Sequence, residues 1–478
     1  MDFSKDEPKA ISSKCLSLIA RTKNILSQLD QSNFPTPNTR SAVSLLLEVL
    51  EWLENPSNLE SIDPAVLYNR LFAMQNLIEL VSDSSSDRIS WPLVSYCDDI
   101  WQKLFGDDGP KIFYSLTSEH NYLMSLFSNR LARDLNGLMP DSEIKRRTDN
   151  NKIYCLQLAS AEDANLQLYA NIGHEFGHAI FDNRKGELLK SLNNNFGSVL
   201  KDIYSLLVSK ESSQASRRLT RISYIVMSIA KELFCDLVGV RLMGPAFLLS
   251  LYELSWGQDK SIWNIALSPV NYQIRAYPSF HFRLNCLFRF GEVDTFCANA
   301  KKDFVTAKCS LADVLPDCLS TVPRDHASDK LVVWPLGELD KSIIESVLTS
   351  HFSALKEAFE HYLQEADALI ASWYPFGTIA QLDTMEIAHL LLRLQHDIPP
   401  NIIPESDLLG RPADFQAVLN ASALCRIHLL VNKEELSADV LAQSMSKVER
   451  LTAKSFEVTF IQKRFNEWGE DRRSGNSE

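Results

Sequence analysis

The 478-residue chain has no excess of positive charge: 48 Lys and Arg stand against 61 Asp and Glu, for a formal net charge of -13. Phosphate backbones reward clustered Lys and Arg, so this balance excludes general nucleic-acid binding. No run of about 18 apolar residues occurs. The longest candidates, such as residues 222–230, meet charged residues soon after, which argues for a soluble protein without a membrane span. The opening MDFSKDEPKAISSKC mixes acidic and basic side chains with no apolar stretch behind a basic end, so no secretory signal is expected. Nine cysteines are scattered without a C-x-x-C pair. That is the pattern of reduced, buried thiols in the cytoplasm. There is no repeat of fixed period and no low-complexity block.

What is present is an ordinary globular composition, 45% hydrophobic and 23% charged, in a chain long enough for two or three domains. Residues 1–145 read as a helical region, with apolar side chains at three- and four-residue spacing over 41–55 and 64–82 and an aromatic-rich helix over 91–105. His120 stands in a polar context and is expected to be exposed. Residues 146–296 carry the chemistry. Residues 297–478 begin with an irregular connector over 301–330, continue with a long amphipathic helix over 341–373 and another over 379–394, and end in a polar tail, GEDRRSGNSE, that reads as disordered. His389 and His396 lie seven apart with Glu386 nearby, and read as ordinary helix-face residues. The fold class expected is mainly α (α+β): a central domain with a small sheet and an active-site helix, flanked by helical regions.

Residues 169–181 read YANIGHEFGHAIF and hold His174, Glu175 and His178 as H-E-x-x-H. On a helix, positions four apart share a face, so the two histidines can present imidazole nitrogens to one metal ion with Glu175 beside it. A zinc ion held by two such nitrogens and a carboxylate leaves a position for water and brings that water's pKa to roughly 7, and Glu175 can then take its proton. Gly173 and Gly177 lie inside the same run, where each costs about 1 kcal/mol relative to Ala. Close approach of a neighbouring backbone or of substrate would explain them. Leu168, Ile172, Phe176 and Ile180 make an apolar stripe beside the ionisable face. Ser160 and Asp163 form an S-x-x-D cap that would start this helix near Ala161. Before it, 152–158 alternates as a half-buried strand, either a plain sheet strand or one whose free edge aligns an extended peptide.

After a helical stretch around 196–209, the polar segment KESSQASRR (210–218) reads as a surface loop or lid. A further helix over about 220–243 is closed by Gly244 and Pro245. It carries Glu232 and Asp236, four apart on one face. Two carboxylates so placed repel each other unless they share a cationic neighbour, and a metal with its histidines would be one. Glu232 is then the third zinc ligand and Asp236 the acceptor of a ligand imidazole N–H. Cys235, with Leu233, Phe234 and Leu237 about it, reads as core packing.

HEFGH followed by ELFCD resembles the H-E-x-x-H plus E-x-x-x-D signature of gluzincin metallopeptidases. The 54 positions from His178 to Glu232 resemble the spacing of the CAAX prenyl protease family and its soluble relatives. That family follows with H-P-x-x-x-x-R. Here residues 277–283, YPSFHFR, keep the proline and the arginine, but Tyr277 stands where His is expected. The resemblance covers residues 150–290. It implies that Arg283 orients the site through a carboxylate and that position 277 stabilises an oxyanion; a phenol can donate that hydrogen bond as an imidazole can. His281 is the alternative donor.

Together these residues point to a zinc metallopeptidase acting on a peptide or protein, with Zn2+ as its cofactor; an endopeptidase is expected, and the alternative, an aminopeptidase, would need an acidic anchor for a free amino terminus that no motif supplies. The rival expectation is a catalytically inactive zinc fold that regulates or binds a partner through its helical flanks.

Overall fold

In the computed structural model the chain is mainly α, with small sheets. It describes residues 3–475 apart from 33, 60, 85–88, 118–121, 149–151, 160–165, 255–260, 268–273, 291, 310–327, 335–337, 375–380, 405–409 and 432–436. His120, Ser160 and Asp163 therefore lie outside the described residues, as does most of the 301–330 connector. The chain divides into two compact units, Met1–Asp163 and Ala164–Glu478. Among the described residues no helix is long and apolar enough to cross a membrane.

The first unit holds helices α1 (Phe3–Asp30), α2 (Asn38–Glu54), α3 (Pro56–Leu59), α4 (Pro64–Asp83), α5 (Trp91–Phe105), α6 (Phe127–Leu135) and α7 (Asp141–Thr148), with strands β1 (Lys111–Thr117), β2 (Leu123–Leu126) and β3 (Ile153–Ala159). Helix α2 buries Val43, Leu46, Val49, Leu50 and Leu53 at helical spacing, each contributing roughly 1.5–3 kcal/mol of transfer free energy. Asp63 caps α4 by accepting from the N–H of Ala65 and Val66 at 2.8 and 3.1 Å, with Pro64 at the first helical position. The strand before the H-E-x-x-H run has no free edge to align a peptide. β3 is the middle strand, parallel to β1 from Lys111 opposite Ile153 and antiparallel to β2 from Leu123 opposite Gln157. Over residues 154–157 both edges of β3 are paired, so an extended peptide finds no template along that stretch.

The second unit begins with a 3-10 turn (Leu166–Asn171) that leads into α8 (Ile172–Asn183), so the α-helix starts at Ile172 and not near Ala161. Helix α9 (Lys185–Met243) is two helices that meet at a kink at Glu211, inside the polar segment whose composition suggests a loop. Residues 210–218 stay helical apart from a kink at Glu211, whose φ and ψ of -163° and 94° break the ladder. Arg218, buried, pairs back to Glu211 at 2.7 Å, giving this polar turn a partner inside the helix. Gly244, at φ 67°, ends α9 by donating its N–H to Val240 O, and α10 (Pro245–Leu254) follows.

A second sheet, ordered β5-β4-β6, is built from β4 (Ser261–Leu267), antiparallel β5 (Ile274–Pro278) and parallel β6 (Ser328–Trp334). Helices α11 (Phe280–Phe290) and α12 (Val293–Thr306) follow β5. The long helix expected over 341–373 is two, α13 (Glu338–Ser350) and α14 (Phe352–Trp373), broken at His351. Helix α14 packs on α9, with Phe359 against Phe196 at 4.8 Å. Helix α15 (Thr384–Gln395), the short pair β7 (Ile402–Ile403) and β8 (Arg411–Pro412), α16 (Phe415–Val431) and α17 (Ala438–Gly475) complete the unit. Helix α17 continues to Gly475, through most of the tail whose composition reads as disordered.

Candidate metal centre

Two glycines set the site. A Cβ on Gly177 would lie 2.6 Å from Cys235 Cα, and one on Gly173 would lie 3.1 Å from Gly239 Cα and 2.8 Å from Met243 Cγ. The backbones of α8 and of the C-terminal half of α9 thus touch, and any larger residue would hold them apart. Their helix-propensity cost is the condition of that approach. On the other side of α8, Ile172, Phe176 and Ile180 are wholly buried and fix the helix's rotation.

The approach brings one face of α9 onto both imidazoles. His174 Nε2 lies 3.3 Å from Glu232 Oε2, and His178 Nε2 lies 3.9 Å from Glu232 Oε1. The rings stand at 89° with centroids 4.9 Å apart, so their Nε2 atoms converge on the carboxylate from two directions. Behind His174, Nδ1–H donates to Asp236 Oδ1 at 2.8 Å. Arg283 on α11 clamps the same carboxylate, with Nε to Oδ2 at 2.7 Å and Nη2 to Oδ1 at 2.6 Å, while its guanidinium lies over the Phe280 ring at 5.0 Å. The side chains of His178 and Glu232 are 20% and 13% exposed and that of Asp236 not at all, so the cluster opens on the Nε2 side and is sealed behind.

Burial opposes every charge here, and the neighbours decide the outcome. It pulls His174 down, but the hydrogen bonds and charges of Asp236 and Glu232 outweigh it and raise the ring to about 9. Burial, with the adjacent His174 charge, lowers His178 to about 3. For Glu232 burial pushes upward, yet the bond to His174 and the surrounding positive groups hold it at about 2. Asp236 stays below the usual carboxylate range because Arg283 overcomes its burial, and Arg283 is raised in turn. The point between the Nε2 atoms and Glu232 therefore favours positive charge.

The donor types at that point, two imidazoles and a carboxylate, are those that hold a divalent cation. Glu232 approaches the two rings through different oxygens, Oε2 at 3.3 Å from His174 Nε2 and Oε1 at 3.9 Å from His178 Nε2. Among the described residues, the set whose ligand atoms all lie within 4.8 Å of one another is His174, His178 and Cys235. Burial, followed by the Glu232 charge, pushes the metal-free Cys235 thiol well above its ordinary value. Its sulfur faces Nδ1 of His178, at 3.3 Å, the ring nitrogen opposite the one that faces Glu232.

Of the residues expected from sequence, His174, His178, Glu232, Asp236 and Arg283 meet in this cluster. Glu175 sits beside His174 on α8, 8% exposed. Tyr277 lies on β5, a strand that packs along α9, and the residue is 44% exposed; His281, in the first turn of α11, is buried at 4%. A group that must reach substrate needs Tyr277's exposure more than His281's burial. Cys235 is buried, as its apolar sequence neighbours imply, but its sulfur also touches the His178 ring, which core packing does not require. Its place three residues after Glu232, on the face that also bears Asp236, is the one sequence signal for that contact. Comparison with known proteins finds no match: no family model, no curated protein and no solved structure matches the chain.

Proposed function

We propose that the protein is a zinc-dependent peptidase of the gluzincin type, resembling soluble relatives of the CAAX prenyl proteases. The convergence of His174 Nε2, His178 Nε2 and the Glu232 carboxylate carries this reading. A zinc ion held by those three groups would supply Lewis acidity. Glu175 would act as the general base, holding the proton of the attacking water and passing it to the leaving amine. Asp236, held by Arg283, keeps the proton of His174 on Nδ1 and so turns Nε2 toward the ion. Tyr277 donates its phenol hydrogen to the developing oxyanion.

The substrate is an internal peptide bond, because no acidic anchor for a free amino terminus is recognisable in the sequence. No disulfide joins any of the described cysteines, in keeping with a reducing, cytoplasmic setting. Tyr277 in place of histidine favours one alternative, a zinc fold retained for binding a regulatory partner. Metal analysis of the purified protein, with mass-spectrometric profiling of a proteome-derived peptide library, separates the two. Zinc with cleavage is the expected result. Zinc without cleavage of any peptide supports the regulator, and absence of zinc from protein refolded or purified in its presence overturns both.

A further inference from the structure

Helix α9 presents three side chains to the two imidazoles, at positions 232, 235 and 236, which share one face. Glu232 meets both rings at Nε2, and Asp236 takes the back of His174. The back of His178 faces a sulfur: Cys235 Sγ lies 3.3 Å from His178 Nδ1. We propose that Cys235 is a positioning residue for His178, its sulfur accepting the Nδ1–H and so fixing the tautomer whose Nε2 lone pair points into the site. This rests on the metal reading above for its purpose, though not for the hydrogen bond itself.

Two arrangements satisfy the 3.3 Å contact, Nδ1–H donating to the sulfur or S–H donating to Nδ1. Only the first leaves the Nε2 lone pair free on the side of Glu232, which at 3.9 Å is itself too far to hydrogen-bond a proton there. The contact depends on Gly177, since a Cβ there would lie 2.6 Å from Cys235 Cα and 2.9 Å from its Cβ and push the sulfur off the ring. The glycine of the motif and the cysteine of the second helix therefore form one device. Ligand histidines usually give their second N–H to a carboxylate, a carbonyl or water, which raises their basicity. Sulfur is a weaker acceptor. The two imidazoles are thus unequal, His174 the more strongly polarised and His178 the softer ligand.

The test uses the full chain, as wild type, Cys235→Ser, which keeps an acceptor, and Cys235→Ala, which removes it. Nitrogen-15 spectra of histidine-labelled, zinc-free protein, with His178 assigned by its loss in His178→Gln, report the tautomer. Titration against a competing chelator reports zinc affinity, and thermal unfolding reports any packing loss. The expected result is a His178 Nδ1–H tautomer in wild type and Cys235→Ser, a mixture of tautomers in Cys235→Ala, and about ten- to hundredfold weaker zinc binding in the alanine variant alone. An unchanged tautomer with zinc affinity within about twofold of wild type in Cys235→Ala overturns the proposal, as does an Nε2–H tautomer in the wild type. Wild-type protein that binds no zinc overturns the metal reading instead, and the nitrogen spectra still decide the hydrogen bond.

Discussion

Two buried ionic clusters among the described residues of the second unit are built to opposite ends. Around His174, two carboxylates, an arginine and two imidazoles are arranged so that Glu232 and Asp236 both stay ionised below their ordinary range. Around Arg426 on α16, Glu253 of α10 and Glu449 of α17 close on a single guanidinium, and there burial wins: both carboxyls are raised. Arg426 ties three helices together, and burial raises its two acids although the guanidinium beside them pulls the other way. In the first cluster the acids face His174 and Arg283, which hold both of them ionised despite burial. Burial alone therefore does not set the outcome; the positive groups each acid meets do.

Removing the proton carrier without touching that charge pattern has the largest expected effect. In Glu175→Gln zinc should be retained while peptide cleavage falls by about 10²- to 10⁴-fold, read by metal analysis and steady-state cleavage of one peptide. Full activity would remove Glu175 from the mechanism.

Stability separates the clusters next. Asp236→Ala leaves Arg283 buried with a charge it cannot shed, and should cost about 3–5 kcal/mol in urea unfolding. Arg426→Met leaves two carboxyls that can take up protons and should cost no more than about half of that. Equal losses would mean the two clusters do not differ as described.

Glycines give the third contrast. Gly197, within α9, has nothing within 4 Å of an added Cβ, and Gly197→Ala should stabilise by about 0.5–1 kcal/mol. Gly177→Ala gains the same helix propensity but meets Cys235 Cα, and should destabilise by about 1–3 kcal/mol. Zinc affinity should fall with it.

The same residues show which features are legible in the amino-acid sequence. Helical periodicity is strict, so pairs four apart, His174 with His178 and Glu232 with Asp236, fall on common faces by spacing alone. Gly173 and Gly177 announce a close approach by their cost. Arg283 follows from its spacing after Pro278 and the resemblance that spacing carries. What stays hidden depends on long-range partners. The edges of β3 are occupied by β1 and β2, from earlier in the chain, and nothing in residues 152–158 encodes that. The polar 210–218 segment has a loop's composition, yet Arg218 and Glu211 satisfy each other within the helix. Cys235 has apolar neighbours in sequence, and only the crossing of α8 and α9 brings its sulfur to His178.

The smallest effect expected is in pH dependence, where the clusters should differ in sign. Glu232 and Asp236 are lowered on folding, so their contribution is present above the ordinary carboxylate range and is lost as pH falls toward the folded values, about 2 for Glu232. Glu253 and Glu449 are raised, so the folded state binds more protons than the unfolded one above pH 4.5, and stability from that cluster falls as pH rises from there. Acid thus loosens the first cluster and tightens the second. Glu449→Gln imitates the protonated acid permanently, so relative to wild type the variant should gain stability between about pH 4 and pH 7, measured as the difference in urea midpoints. A difference that stays flat or runs the other way would show that Arg426, and not burial, governs that pair.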